Sequence, residues 1–180
     1  MGRRKDIEGK IDSPKERALS VNVLRRTIRY IPETGEFFWL EHRRGLTAGT
    51  PAGYAPEKGY RLIVINGQGY MGHRVAWAIV TGSWPTYQID HRNGCPSDNR
   101  WDNLREATSS QQRANSRRTK NAKSPYRGVA FSQDARRKKP WAATLELKGK
   151  TVYLGRYETP EEASAAYQAG VKKHFGEFVT

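Results

Sequence analysis

Residues 88–104 read QIDHRNGCPSDNRWDNL. The pair Asp90 and His91 closes a short apolar run, and a turn rich in Asn, Asp and Gly follows. A connecting loop needs those turn formers, whose short polar side chains bond to nearby backbone. It has no need of a carboxylate beside an imidazole.

That pair suits metal-assisted cleavage of a phosphodiester. The reaction needs a base that takes a proton from water, and a cation that offsets charge on the phosphate and the leaving oxygen. A hard ion such as Mg²⁺, or Mn²⁺ in its place, prefers oxygen ligands and keeps several waters, so one carboxylate and one amide carbonyl can hold it. Asp90 can supply the carboxylate. His91 can be the base, since an unperturbed imidazole titrates near neutral pH. An amide from the loop, such as Asn103, can orient the ring. A second ligand would come from the following helix, where Gln112 and Asn115 are candidates.

Upstream of the pair, the spacing of Val21, Leu24 and Ile28 predicts a helix from Leu19 to about Arg29. The turn Pro32–Gly35 leads into the strand EFFWL. YRLIVI and YMGH then read as a hairpin around Asn66-Gly67-Gln68-Gly69, because Asn and Gly tolerate positive φ. Residues 73–82 read as a buried helix stopped by Gly82. Downstream, SSQQRANSRR reads as a helix with Ser109 and Gln112 at capping-box spacing.

The chain of 180 residues carries a net charge of +14 with 36% hydrophobic residues, which favours two small modules over one large core. Such a charge favours a polyanionic partner, since Lys and Arg set against phosphates release counterions. The densest basic run is residues 113–139, where Asp134 is the sole acid. Its first part reads as a solvated linker. The expected organisation is a basic N-terminal segment (1–18), a first module (19–115), a basic linker (116–123) and a second module (124–180).

In the second module YRGVAFS, WAATLELKG and KTVYLGRYE read as three antiparallel strands. A helix starts at Thr159 as N-cap, with Pro160 in its first turn and Glu162 closing the box. Its apolar stripe is expected to hold Ala163, Ala166, Tyr167, Gly170, Val171 and His174. The fold class is therefore α+β. Cys95 is the only cysteine, so no internal disulfide and no cysteine-based zinc cage can form, and no zinc is expected. No stretch is apolar enough to cross a bilayer, and the opening residues lack the apolar core of a secretory signal, so a membrane partner is not expected.

IDHRNG, DNRWDNLREAT and the polar helix after them resemble the ββα-metal site of HNH endonucleases of the phage and intron homing branch. The resemblance extends back through HRVAWAIVTGSWP and PETGEFFW. It implies a double-stranded DNA substrate and a cytoplasmic setting in a bacterial or phage-infected cell. It also implies His91 as general base, Asp90 as metal ligand, Asn103 as the middle Asn and Gln112 at the helix ligand position, where Asn or His is usual. His73, opening HRVAW, is characteristic of the branch and is assigned no catalytic role.

YRGV, WAATL, YLGRYETPEEASAAY and HFGEF resemble the APETALA/ethylene-response-factor type of DNA-binding domain, which lays its sheet in the major groove. That implies DNA contacts from Arg127, Thr144, Glu146, Thr151 and Tyr153. Arg136, Arg137, Lys138 and Lys139, with Arg117 and Arg118 of the linker, are expected to meet phosphates. The competing readings are a non-catalytic DNA-binding regulator on a degenerate nuclease fold, and a basic RNA-binding protein. The oligomeric state is left open.

Overall fold

The computed structural model describes residues 13–42, 45–55, 59–115, 124–134 and 136–176. The chain divides into two compact units, 1–107 and 108–180. The expected linker, with Arg117 and Arg118, lies outside the described residues, as do residues 1–12 of the expected N-terminal segment.

The first unit opens with two short helices, α1 (Pro14–Ala18) and α2 (Val21–Thr27). Ser20 caps α2 by accepting from the Asn22 amide. The helix expected to run from Leu19 to about Arg29 is therefore shorter. Ile28 turns the chain into β1 (Ile28–Ile31), which pairs antiparallel with β2 (Glu36–Trp39). Pairing through Tyr30 and Phe37, whose rings lie 4.9 Å apart, outweighs the weak helix preference of β-branched Ile28. The second hairpin joins β3 (Leu62–Ile65) to β4 (Gln68–Met71). Its turn is only Asn66 and Gly67, both at positive φ, and Gln68 and Gly69 belong to the strand.

Directly after β4 comes α3 (Gly72–Thr81), stopped by Gly82 in the left-handed region. Then β5 (Gln88–His91) and β6 (Leu104–Ala107) form a third antiparallel hairpin. Leu24, Ile28, Phe37, Ile63, Ile65 and Val75 are the largest fully buried apolar side chains of this unit's core. Burying each is worth about 1.5–3 kcal/mol. α1 joins this core through a charged contact: Glu16 is buried against Arg74 of α3.

The second unit begins with α4 (Ser109–Asn115). Its cap differs from expectation by one residue. Thr108 Oγ1 accepts from the Gln111 amide at 3.2 Å, and Gln111 Oε1 accepts from the Thr108 amide at 2.9 Å. The box is Thr108–Gln111, not Ser109–Gln112. The side chain of Ser109 would serve equally well in isolation, so the start of the helix is set by where β6 releases the chain.

Three strands follow, β7 (Val129–Phe131), β8 (Trp141–Leu147) and β9 (Lys150–Tyr157), in one antiparallel sheet ordered β7-β8-β9. The last helix, α5 (Pro160–Phe175), is capped by Thr159, whose hydroxyl accepts from the Glu162 amide. Val129, Ala143, Leu145, Ala163, Tyr167 and Val171 make the core between sheet and helix. His174 is exposed rather than on the buried stripe. Among the described residues no helix is long and apolar enough to cross a membrane.

Candidate active site and candidate nucleic-acid surface

The β5–β6 hairpin sets the Asp-His pair. Asp90 lies opposite Arg105 in the register, and His91 opposite Leu104. Directly opposed residues on antiparallel strands bring their side chains together, and Arg105 reaches Asp90 Oδ2 through Nε at 3.2 Å and Nη2 at 3.0 Å. Both partners are buried. The candidate metal carboxylate thus has one oxygen engaged by a guanidinium, which sequence reading did not anticipate.

His91 is 4% exposed. Its Nε2 lies 3.4 Å from Asn99 Oδ1, a long contact. The Asn99 amide is oriented by its Nδ2, which donates to Ser97 O at 3.2 Å. An acceptor facing Nε2 calls for the ring proton on Nε2 and the lone pair on Nδ1. Burial lowers the His91 pKa, with Asn99 and the charges of Asp90 and Asp98 acting the other way.

Asn99 is itself held from below. Tyr30 Oη donates to its carbonyl at 2.7 Å, and the Trp101 amide donates to Pro32 O at 2.9 Å. The 99–100 backbone lies so close to Gly35 that a Cβ there would meet Arg100 N and Asn99 C at 2.5 Å. Gly35, at φ +74°, is therefore the residue that lets the PETG turn seat this loop.

Asn103, expected to orient the imidazole, does something else. Its Oδ1 accepts from the Asn93 amide at 3.0 Å, while its Nδ2 donates to Asp98 O at 2.8 Å and Asn93 Oδ1 at 3.1 Å. Asn103 ties the two ends of the loop, and Asn99 faces the ring. The correction has a local cause: Asn103 ends the 3-10 turn Trp101–Asn103, which directs its amide back into the loop. Asp98 adds a brace, pairing with Arg100 through both oxygens at 2.9 and 2.8 Å. Those bonds lower its pKa to about 2.

Gln112 lies half-buried on α4, in the second unit, and the Asn115 side chain lies outside the described residues. Among the described residues, no group of three or more His, Cys, Asp or Glu is arranged to hold a metal ion. The donor set at β5 is one carboxylate beside a neutral imidazole. That fits an ion which takes few protein oxygens and keeps its waters.

On the second unit's sheet, the register puts Thr144 opposite Tyr153 and Glu146 opposite Thr151. All four alternate away from buried Ala143 and Leu145, Thr144 and Glu146 half-buried, Thr151 and Tyr153 exposed. Tyr153 is 61% exposed there. Arg136, Arg137, Lys138 and Lys139 are exposed in the β7–β8 connection, and Asp134 pairs with Arg136 at 3.2 Å and Arg137 at 3.3 Å. Arg127, another expected DNA contact, donates through Nη1 to the Ala114 carbonyl of α4. That bond spends part of its donor capacity inside the unit.

No curated protein and no solved structure matches the chain. The family model described as HNH endonuclease matches residues 70–114, a stretch in the middle of the chain that is narrower than the expected module and contains the second half of β4, α3, the β5–β6 hairpin with Asp90 and His91, and most of α4.

Proposed function

We propose that the chain is a divalent-metal-dependent DNA endonuclease of the homing type carried by phages and mobile elements. The observation that carries this reading is the Asp90–His91 pair on a hairpin strand, with Asn99 against the imidazole, inside the stretch similar to HNH endonucleases. His91 takes a proton from water at Nδ1, and the Asn99 contact at Nε2 supports that tautomer. Asp90 would hold Mg²⁺ or Mn²⁺, with the amide of Gln112 as the second ligand implied by the sequence pattern. When bound, the ion supplies charge stabilisation to the phosphate and the leaving 3′ oxygen. Arg105, bonded to Asp90 Oδ2 through Nε and Nη2, holds the carboxylate in orientation in its absence.

The second unit, in this reading, is a DNA-binding domain of the APETALA/ethylene-response-factor type. Its sheet face bears Thr144, Glu146, Thr151 and Tyr153, and its basic connection meets phosphates. Arg127, Arg117 and Arg118 remain expected DNA contacts from sequence alone. Double-stranded DNA is the partner.

The test is supercoiled plasmid with Mg²⁺ or Mn²⁺, wild type against His91→Ala, and an EDTA control. Metal-dependent nicking that the variant loses supports the enzyme. Binding without cleavage supports the second reading, a non-catalytic DNA-binding regulator. One observation favours that alternative: the Asp90–Arg105 ion pair already neutralises the carboxylate the metal would need.

A further inference from the structure

Two rings pack around His91, making a trio with it. The His73 ring packs against it edge-on, with centroids 5.2 Å apart and planes at 74°. Tyr60 lies 5.2 Å from His73 and 5.9 Å from His91, and at 43% exposure it carries the trio to the surface.

His73, on the first turn of α3, is 8% exposed, and its Nδ1 is buried with no hydrogen-bond partner among the described residues. Leaving such an atom unpaired is destabilising, because its desolvation is not offset by a hydrogen bond. A Phe ring would fill similar space without that cost. Burial first, then the charges of His91 and Arg74, lower the His73 pKa to about 3. The ring is therefore neutral near pH 7, and with its proton on Nε2 it presents a lone pair at Nδ1.

We propose that His73 is a positioning residue for hydrolysis, its Nδ1 accepting a hydrogen bond from the water molecule that the His91 imidazole deprotonates. The inference rests on the reading of His91 as base. One O–H of the water points at His73, and the other gives its proton to His91. The oxygen bonds to phosphorus, the bond from phosphorus to the 3′ oxygen breaks, and that oxygen takes a proton from solvent. Products are a 5′ phosphate and a 3′ hydroxyl. Two neutral imidazoles would thereby direct the lone pair of one water, where a single base leaves it free to rotate.

The experiment compares wild type, His73→Phe and His73→Asn in plasmid nicking with Mg²⁺ or Mn²⁺, reading kcat, KM and Tm. Phe keeps the ring and removes the acceptor, while Asn puts an amide oxygen near the place of Nδ1. His73→Phe should lower kcat about tenfold to a hundredfold. Its KM should hold and its Tm should match or exceed wild type, because the unpaired nitrogen is gone. His73→Asn should recover part of kcat. Wild-type kcat in His73→Phe overturns the proposal, as do equally slow Phe and Asn variants, or a loss of kcat that tracks a loss of Tm. A wild type that does not nick overturns the reading of His91, and the role of His73 with it, by a result the variants cannot produce.

Discussion

Replacing Glu16 with Ala tests whether α1 is part of the first unit's core. Glu16 Oε1 accepts from Arg74 Nε at 2.7 Å and Oε2 from Nη2 at 2.6 Å. Arg74 also donates to Tyr87 O and Pro85 O, each at 3.0 Å. The two side chains are 7% and 6% exposed, so solvent screening is slight. Removing the carboxylate leaves a guanidinium buried with two carbonyl acceptors and no counter-charge. Breaking a pair of this kind costs about 3–5 kcal/mol. That is a large share of the roughly 5–15 kcal/mol that holds a domain together, and it lowers Tm by on the order of 12–20 °C. Urea unfolding of the full chain, followed by tryptophan fluorescence, measures it, since Trp39, Trp77, Trp84 and Trp101 all report on this unit. The double variant Glu16→Leu/Arg74→Met removes both charges and should be more stable than Glu16→Ala. Hydrogen exchange at Gln88–His91 should rise in Glu16→Ala, because Arg74 holds the backbone just before β5. A loss under about 1 kcal/mol would refute the reasoning, as would a double variant no more stable than the single one.

Other outcomes follow from the same geometry. Asn99→Ala should slow cleavage about tenfold to a hundredfold with the fold intact. Asn103→Ala should instead cost about 1–3 kcal/mol of stability, by orphaning its loop partners; a reversed pattern in paired kinetics and melts would contradict the assignment. His73 has its pKa lowered from 6.5 to about 3, so the unfolded chain takes up that proton first as pH falls. Its contribution is complete above pH 6.5 and is lost as pH falls toward about 3, with His91 shifted in the same direction. Melts across that window should therefore show Tm falling with acid, less steeply in His73→Phe; equal slopes would refute it. Changing Arg136, Arg137, Lys138 and Lys139 together to Gln should weaken DNA binding and reduce its log–log salt slope by about 2–4. An unchanged slope in a salt titration would remove this connection from the interface.

Local chemistry was legible wherever neighbours in sequence decide the conformation. Asn66-Gly67 marks a hairpin because both residues accept positive φ, and Gly82 and Thr159 end and begin helices through their own backbone and hydroxyl. Asp90 and His91 stood out because a plain turn has no use for them. Element ends are less legible: Ile28 leaves its helix to pair with Trp39 of a partner strand, and Thr108 takes the cap expected of Ser109. A cluster of Asn at 93, 99 and 103 signals a braced loop, but which amide faces the imidazole depends on the PETG turn, brought against Asn99 from over sixty residues away in the chain.

Sequence by itself determined the residue types available for chemistry, the basic surface charge and the turn and cap positions, because these are properties of single residues and short spans. Only the tertiary structure decided that Arg105 engages Asp90, that Glu16 anchors Arg74, and that His73 and Tyr60 enclose His91. The physical reason is range. A hydrogen bond or ion pair acts over a few ångströms in space, and the fold sets those few ångströms between residues that the chain keeps far apart.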